Sequence, residues 1–126
     1  MTYLLDASAL MAYVLQEPGQ GEIVSFLDQK LKMTTVNFTE ALLKLKQKQP
    51  PGTNVLDLID QVKFDLIPFT EEIARLTARQ DWPNRPPLSL GDKICLATGM
   101  ALDCQVVTAD REWAKLKLPV KVVAIR

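Results

Sequence analysis

Short apolar runs of strand length alternate along this chain with longer segments in which apolar residues recur at helical spacing. "TYLLDA" (2–7) reads as a strand and hands over to a helical "SALMAYVLQE" (8–17), which "EPG" at 17–19 ends. "GEIVSFLDQK" (21–30) repeats the helical period and "KMTTV" (32–36) is a short β-branched strand. "NFTEALLKLKQKQ" (37–49) then predicts a helix that Pro50 and Pro51 stop. "NVLDLIDQV" (54–62) places Val55, Leu58, Ile59 and Val62 on one helical face. "FDLIPF" (64–69) predicts a strand whose ladder Pro68 limits, and "TEEIARLTARQ" (70–80) a helix capped by Thr70. "DWPNRPPLS" (81–89) has three prolines in nine residues and predicts a loop. A helix beginning near Leu90, a strand "QVVTA" (105–109), a short helix "REWAKL" (111–116) and a strand "VKVVAI" (120–125) complete the pattern.

Strands that alternate with helices over 126 residues predict one α/β domain, residues 1–126. Its expected form is three layers, with a mainly parallel central sheet of about five strands and right-handed crossovers that put helices on both faces. In such sheets the ligand crevice lies beyond the carboxyl ends of the strands. Four carboxylates fall at that edge. Asp6 ends the first strand, Glu40 is expected in the first turn after "MTTV", Asp92 opens the apolar helix "SLGDKICLATG", and Asp110 ends "QVVTAD".

Each acid has a plain structural reading. Asn37 with Glu40 and Ser89 with Asp92 resemble capping boxes, an N-cap role is expected for Asn37, and acids are favoured at helix N-termini. Asp110 can cap "REWAKL". Asp6 resists this reading, because it interrupts an apolar run where neither period wants a charge. Convergence changes the balance, since carboxylates at about 5 Å repel by about 3 kcal/mol per pair at an effective dielectric of about 20. A shared edge therefore calls for a counter-charge, and oxygen-only ligation suits Mg²⁺ or Mn²⁺. Ser8, Thr108 and Asn37 are expected to support the acids by orienting a carboxylate, a water or a phosphate oxygen.

Composition narrows the chemistry further. The chain has no histidine, which removes Ser-His-Asp and Cys-His catalysis and every His-ligated metal site. Its two cysteines, Cys95 and Cys104, match no zinc spacing and are expected in the core. Fifteen basic residues balance fifteen acidic ones, so the bulk charge gives no nucleic-acid signature. With four acids engaged by a cation, however, fifteen basic groups face eleven acidic ones. No apolar run reaches the roughly 18 residues of a membrane helix, and the N-terminal segment lacks a basic start and carries Asp6, so no signal peptide and a cytoplasmic location are expected.

Taken together, "LLDASAL" (4–10), "VNFTEALLKL" (36–45), "LSLGDKICLATG" (88–99) and "VVTADREWAKL" (106–116) resemble the PIN domain, and within it the VapC-like toxin ribonucleases. The resemblance runs over nearly the whole chain in the expected order. It implies a PIN-like fold and a metal site of Asp6, Glu40, Asp92 and Asp110, supported by Ser8 and Thr108. It also implies an endoribonuclease dependent on Mg²⁺ or Mn²⁺ that leaves a 5′-phosphate and a 3′-hydroxyl. The partners implied are an RNA substrate, a cognate antitoxin and a second copy in a homodimer.

Lys46, Lys93 and Arg111, with Arg85 behind them, are the candidate phosphate contacts. Lys44 is spaced to pair with Glu40. The few aromatic residues, among them Phe38, Trp82 and Trp113, form no stacking platform. "SALMAYVLQE" is apolar nearly all round, and its excess is read as a surface for self-association or for the antitoxin. Two other classes compete with the nuclease. One is an RNA-binding or assembly module of the same fold with little activity. The other is a phosphatase or nucleotide-binding domain, which no glycine-rich phosphate loop or D-x-D motif supports.

Overall fold

In the computed structural model, which describes residues 2–49 and 51–126, five strands form one sheet. They are β1 (Thr2–Leu5), β2 (Lys30–Thr34), β3 (Phe64–Ile67), β4 (Gln105–Thr108) and β5 (Val122–Ala124). Their order is β3-β2-β1-β4-β5 and every neighbouring pair is parallel. The chain therefore builds outward from β1 to β3 on one side and returns to build β4 and β5 on the other. Ligand crevices of open parallel sheets lie at such a reversal.

The helices are α1 (Ala7–Val14), α2 (Gln20–Phe26), α3 (Thr35–Lys48), α4 (Val55–Asp60), α5 (Glu71–Arg79) and α6 (Leu90–Leu102), with a 3-10 helix at Arg111–Lys115. Period-two alternation sorts them into layers. Tyr3 and Leu5 of β1, with Leu31, Met33 and Val107, enter a core filled by Leu10, Ile23, Leu45 and Ile59 from α1 to α4. Leu4 and Val106 face the other way, against Cys95 and Leu96 of α6 and Trp113. Burying each such aliphatic side chain contributes about 1.5–3 kcal/mol. The expected three-layer α/β architecture is thus observed, with both cysteines in the core.

Several boundaries differ from the sequence expectation, for local reasons. "KMTTV" is not a strand over 32–36, because β2 runs from Lys30 to Thr34 and α3 begins at Thr35. The Thr34 hydroxyl accepts the Asn37 amide at 2.9 Å, and this cap draws Thr35 and Val36 into the helix despite their β-branched side chains. Asn37 is therefore inside α3 and is not its N-cap, and Glu40 falls in the second turn, not the first. "GEIVSFLDQK" stops being helical after Phe26, β3 ends at Ile67 just before Pro68, and "REWAKL" forms a 3-10 helix. The helix α3 ends at Lys48; Pro50, the expected stop, lies outside the described residues.

The reading of "SALMAYVLQE" as an exposed partner surface is overturned. Leu10, Met11 and Val14 are buried, and Tyr13 and Leu15 pack against the same core. The helix is apolar nearly all round because the sheet lies on one side of it and α2, α3 and α4 pack around it. Among the described residues no helix is long and apolar enough to cross a membrane.

Candidate active site

Beyond the carboxyl end of β1, Asp6 begins α1 as its N-cap. Its backbone amide donates to Val107 O at 3.0 Å, which fixes it against β4. Its carboxylate is enclosed by three donors. Oδ1 accepts from the Ser8 hydroxyl at 2.7 Å and the Ala9 amide at 2.8 Å, and Oδ2 accepts from the Thr108 hydroxyl at 2.6 Å. Burial pushes the Asp6 pKa from 3.8 up to about 6; the bonds from Thr108, Ala9 and Ser8 pull it down, and the charge of Asp92 adds to the rise. Desolvation outweighs three hydrogen bonds, so the folded protein holds a carboxylate that lacks a counter-charge.

Glu40 is placed by a relay from β2 to α6. The Thr34 hydroxyl donates to Asn37 Oδ1 at 2.6 Å, and Asn37 Nδ2 donates to Glu40 Oε1 at 2.9 Å and to Gly91 O at 3.2 Å. Asn37 is buried, so it serves as a rigid strut between two helices. The carboxylate of Glu40 then lies directly over Gly91. A Cβ at Gly91 would collide with both Glu40 oxygens, so a larger residue there must displace the Glu40 carboxylate from this position.

Asp92 closes a reciprocal capping box with Ser89. Ser89 N donates to Asp92 Oδ2 at 2.9 Å, and Asp92 N donates to Ser89 Oγ at 3.1 Å. Below this turn lies the Cys95 thiol, raised well above its usual range by burial, with Asp6, Asp92 and Glu40 each adding to the rise. All three acids therefore act on one buried thiol. Asp110 stands slightly apart and is exposed. It caps the 3-10 helix through the Glu112 amide, and it joins the site where its own amide donates to Thr108 Oγ1 at 3.1 Å.

A common design emerges from these bonds. Glu40, Asp92 and Asp110 each have one carboxylate oxygen tied to the protein and the other left without a protein partner among the described residues. The donor set is oxygen only and suits a hard divalent cation. Among the described residues, no three of the acids stand close enough to form a ready-made cage. An open group of this kind fits a hydrated Mg²⁺ or Mn²⁺, which keeps several waters and takes one or two carboxylates.

The basic candidates divide. Arg111 lines a cavity with Ser8 and Asp110, whereas Lys93 is half-buried in a separate apolar cavity with Phe69, Trp82 and Leu90 that none of the four acids lines. Lys46 is exposed in the last turn of α3, roughly 9 Å along the helix axis from Glu40. Arg85 lies among Pro86, Pro87, Glu112 and Lys115, with none of the four acids in its cavity. The expected Lys44–Glu40 ion pair is not among those the described residues form.

Residues 3–118 match the family model of the PIN domain. The chain belongs to the PIN-domain family. Solved structures agree in fold. One similar chain is from DNA-bound VapBC of Salmonella typhimurium, at a TM-score of 0.74 and 12% identity, covering 100% of this chain and 99% of that one. Another is from a toxin-antitoxin complex of Klebsiella pneumoniae, at 0.73 and 17%, covering 98% of both chains. A third is from VapBC2 of Rickettsia felis bound to a promoter DNA fragment, at 0.72 and 11%, again covering 98% of both. No curated protein sequence matches the chain.

Two residues of this PIN domain that sequence reasoning missed belong to the site's surroundings. Gly91 left a trace, since it stands in the helix start "SLGD", but its role depends on Glu40 from another helix. Arg126 left none. It reaches the Ser8 and Asp110 side of the site only through the fold.

Proposed function

We propose that this PIN domain is a divalent-metal-dependent endoribonuclease of the VapC toxin type, which hydrolyses RNA phosphodiesters to leave a 5′-phosphate and a 3′-hydroxyl. The observation that carries the reading is the Asp6 carboxylate, buried without a counter-charge beside Asp92 and Glu40 in a protein with no histidine. Asp6 and Asp92 would hold Mg²⁺ or Mn²⁺, with Glu40 and Asp110 completing the site through water. When bound, the cation supplies Lewis acidity to a water and to the phosphodiester.

The chain's own residues do the orienting. Ser8 and Thr108 fix both oxygens of Asp6, so that it meets its ligand in one rotamer. Asn37 aims Glu40, and the cap at Ser89 aims the free oxygen of Asp92. Glu40, fixed through its Oε1, has Oε2 available to accept a proton from the attacking water. The neighbours' toxin-antitoxin complexes support a cognate antitoxin for this chain too. Exposed Phe69 and Leu90, on an apolar groove with Trp82 beside Lys93, support a protein partner or a second copy against this face.

The open spacing of the acids favours a second reading, in which the domain binds RNA but does not cleave it. Incubation of the protein with total RNA separates the two. Cleavage with Mg²⁺ or Mn²⁺ that chelation stops, and that Asp92→Asn abolishes, supports the nuclease; metal-independent cleavage or binding alone rejects it.

A further inference from the structure

We propose that Arg126, with Arg111, forms a subsite for a non-scissile backbone phosphate of the RNA beside the carboxylates, a deepening that rests on the nuclease reading above. A cavity of about 370 Å³ adjoins Asp6's hydrogen-bond network and is lined by Ser8, Ala109, Asp110, Arg111 and Arg126. Ser8 is the shared wall. Its hydroxyl donates to Asp6 Oδ1 and accepts the Ala109 amide at 2.9 Å, so the cavity and the buried carboxylate meet across one side chain.

Arg126 is held in place by main-chain carbonyls. Its Nε donates to Ala109 O and its Nη1 to Pro18 O, each at 3.3 Å. Carbonyls orient a guanidinium without neutralising it. Neither arginine takes part in the three ion pairs of the described residues, Lys32–Asp65, Arg75–Glu71 and Lys115–Glu112. A guanidinium carries five N–H donors. With two spent on carbonyls, three of Arg126's remain for a ligand. Among the side chains that line the cavity, two are cationic and one, Asp110, is anionic. A phosphate matches this fork in shape and charge.

The fold fixes the arginine's position independently. Ile125 is buried, and its amide donates to Thr108 O at 2.9 Å, extending the β4 pairing by one step. The turn between α1 and α2 presses on it from the other side. Gly19 has φ +103°, and a Cβ there would lie 2.9 Å from Ile125 Cδ1, Cγ1 and O. The residue after Ile125 is thereby delivered to the rim next to Ala109. A charge positioned from two elements, 108 and 17 residues away in sequence, is a built feature of the rim.

The test uses the full chain and a pool of single-stranded oligoribonucleotides of randomised sequence, with Mg²⁺ or Mn²⁺. Cleavage is measured for the wild type, Arg126→Gln, Arg111→Gln and, as a control away from the site, Arg75→Gln. Affinity is measured in an Asp92→Asn background across a salt series. Arg126→Gln is expected to raise KM and Kd about tenfold with kcat within twofold, and to flatten the salt slope by about 0.7, the share of one phosphate on a single strand. Arg111→Gln, which breaks no side-chain hydrogen bond or ion pair of the described residues, gives a smaller shift in the same direction, so the subsite stays testable if loss of the Pro18 and Ala109 anchors unfolds the first variant. RNA cleaved with KM and slope unchanged in both variants overturns the subsite and leaves the nuclease standing. RNA bound through Arg126 but not cleaved upholds the subsite and removes the nuclease. RNA neither bound nor cleaved overturns both.

Discussion

Asp6 and Asp92 each stand at the start of a helix on the same edge of the sheet, yet their partners come from opposite ranges of the chain. Asp92 is satisfied locally, by Ser89 three residues earlier, and is half-buried. Asp6 takes its Thr108 partner from 102 residues away and is almost fully enclosed. The local cap costs little and stabilises its helix by about 1 kcal/mol. The long-range site is expensive, because moving the pKa from 3.8 to about 6 corresponds to about 3 kcal/mol of penalty on the charged form. Stability alone explains Asp92. It does not explain Asp6, whereas the cation proposed above would.

Activity gives the largest expected effect and should erase the contrast. Asp6→Asn and Asp92→Asn each lower kcat on RNA by more than about 100-fold, as loss of a ligand should exceed loss of a supporting group. A full loss for one and near wild-type turnover for the other would confine the cation to a single carboxylate.

Stability should separate the two residues. The folded pKa of Asp6 lies above the unfolded one, so the stability it contributes is complete below about pH 4 and is lost as pH rises through about 6. Asn never ionises and keeps that contribution. In metal-free protein, Asp6→Asn is therefore more stable than wild type by up to about 3 kcal/mol at pH 7.5 and equal to it near pH 4, read from urea midpoints at the two pH values. Equal stability at both would show that Asp6 carries no burial penalty.

Smaller changes test the supports. Thr108→Val removes the hydroxyl that donates to Asp6 and accepts from the Asp110 amide, and should cost about 1–3 kcal/mol by thermal unfolding at pH 7.5. Ser89→Ala should cost about 1 kcal/mol through the lost cap. Asp92→Asn comes last, at under about 1 kcal/mol, since an amide oxygen can still accept from Ser89 N and only the charge at the helix start is lost. A drop of several kcal/mol for Asp92→Asn would make its role structural.

What the sequence showed follows the same division between local and long-range partners. The α6 cap was legible because Ser89 and Asp92 lie one turn apart, and the position of Asp6 and Asp110 beyond the carboxyl ends of β1 and β4 was legible because parallel topology sends strand ends to one edge. The start of α3 was misread because Thr34, Thr35 and Val36 are β-branched, and the deciding interaction is a single hydroxyl on the Asn37 amide. The bridging role of Asn37 needed Gly91 O from a different helix. The apolar girth of α1 looked like spare surface because periodicity reports how much of a helix is apolar, not how many neighbours surround it.

Whether the Asp6 carboxylate is kept buried for a cation can be read from the titration of its carboxyl carbon by ¹³C NMR, with and without Mg²⁺. A midpoint near pH 6 is expected in the metal-free protein, with a clear fall when Mg²⁺ is added. A midpoint near 4, or one that Mg²⁺ leaves unmoved, would contradict it.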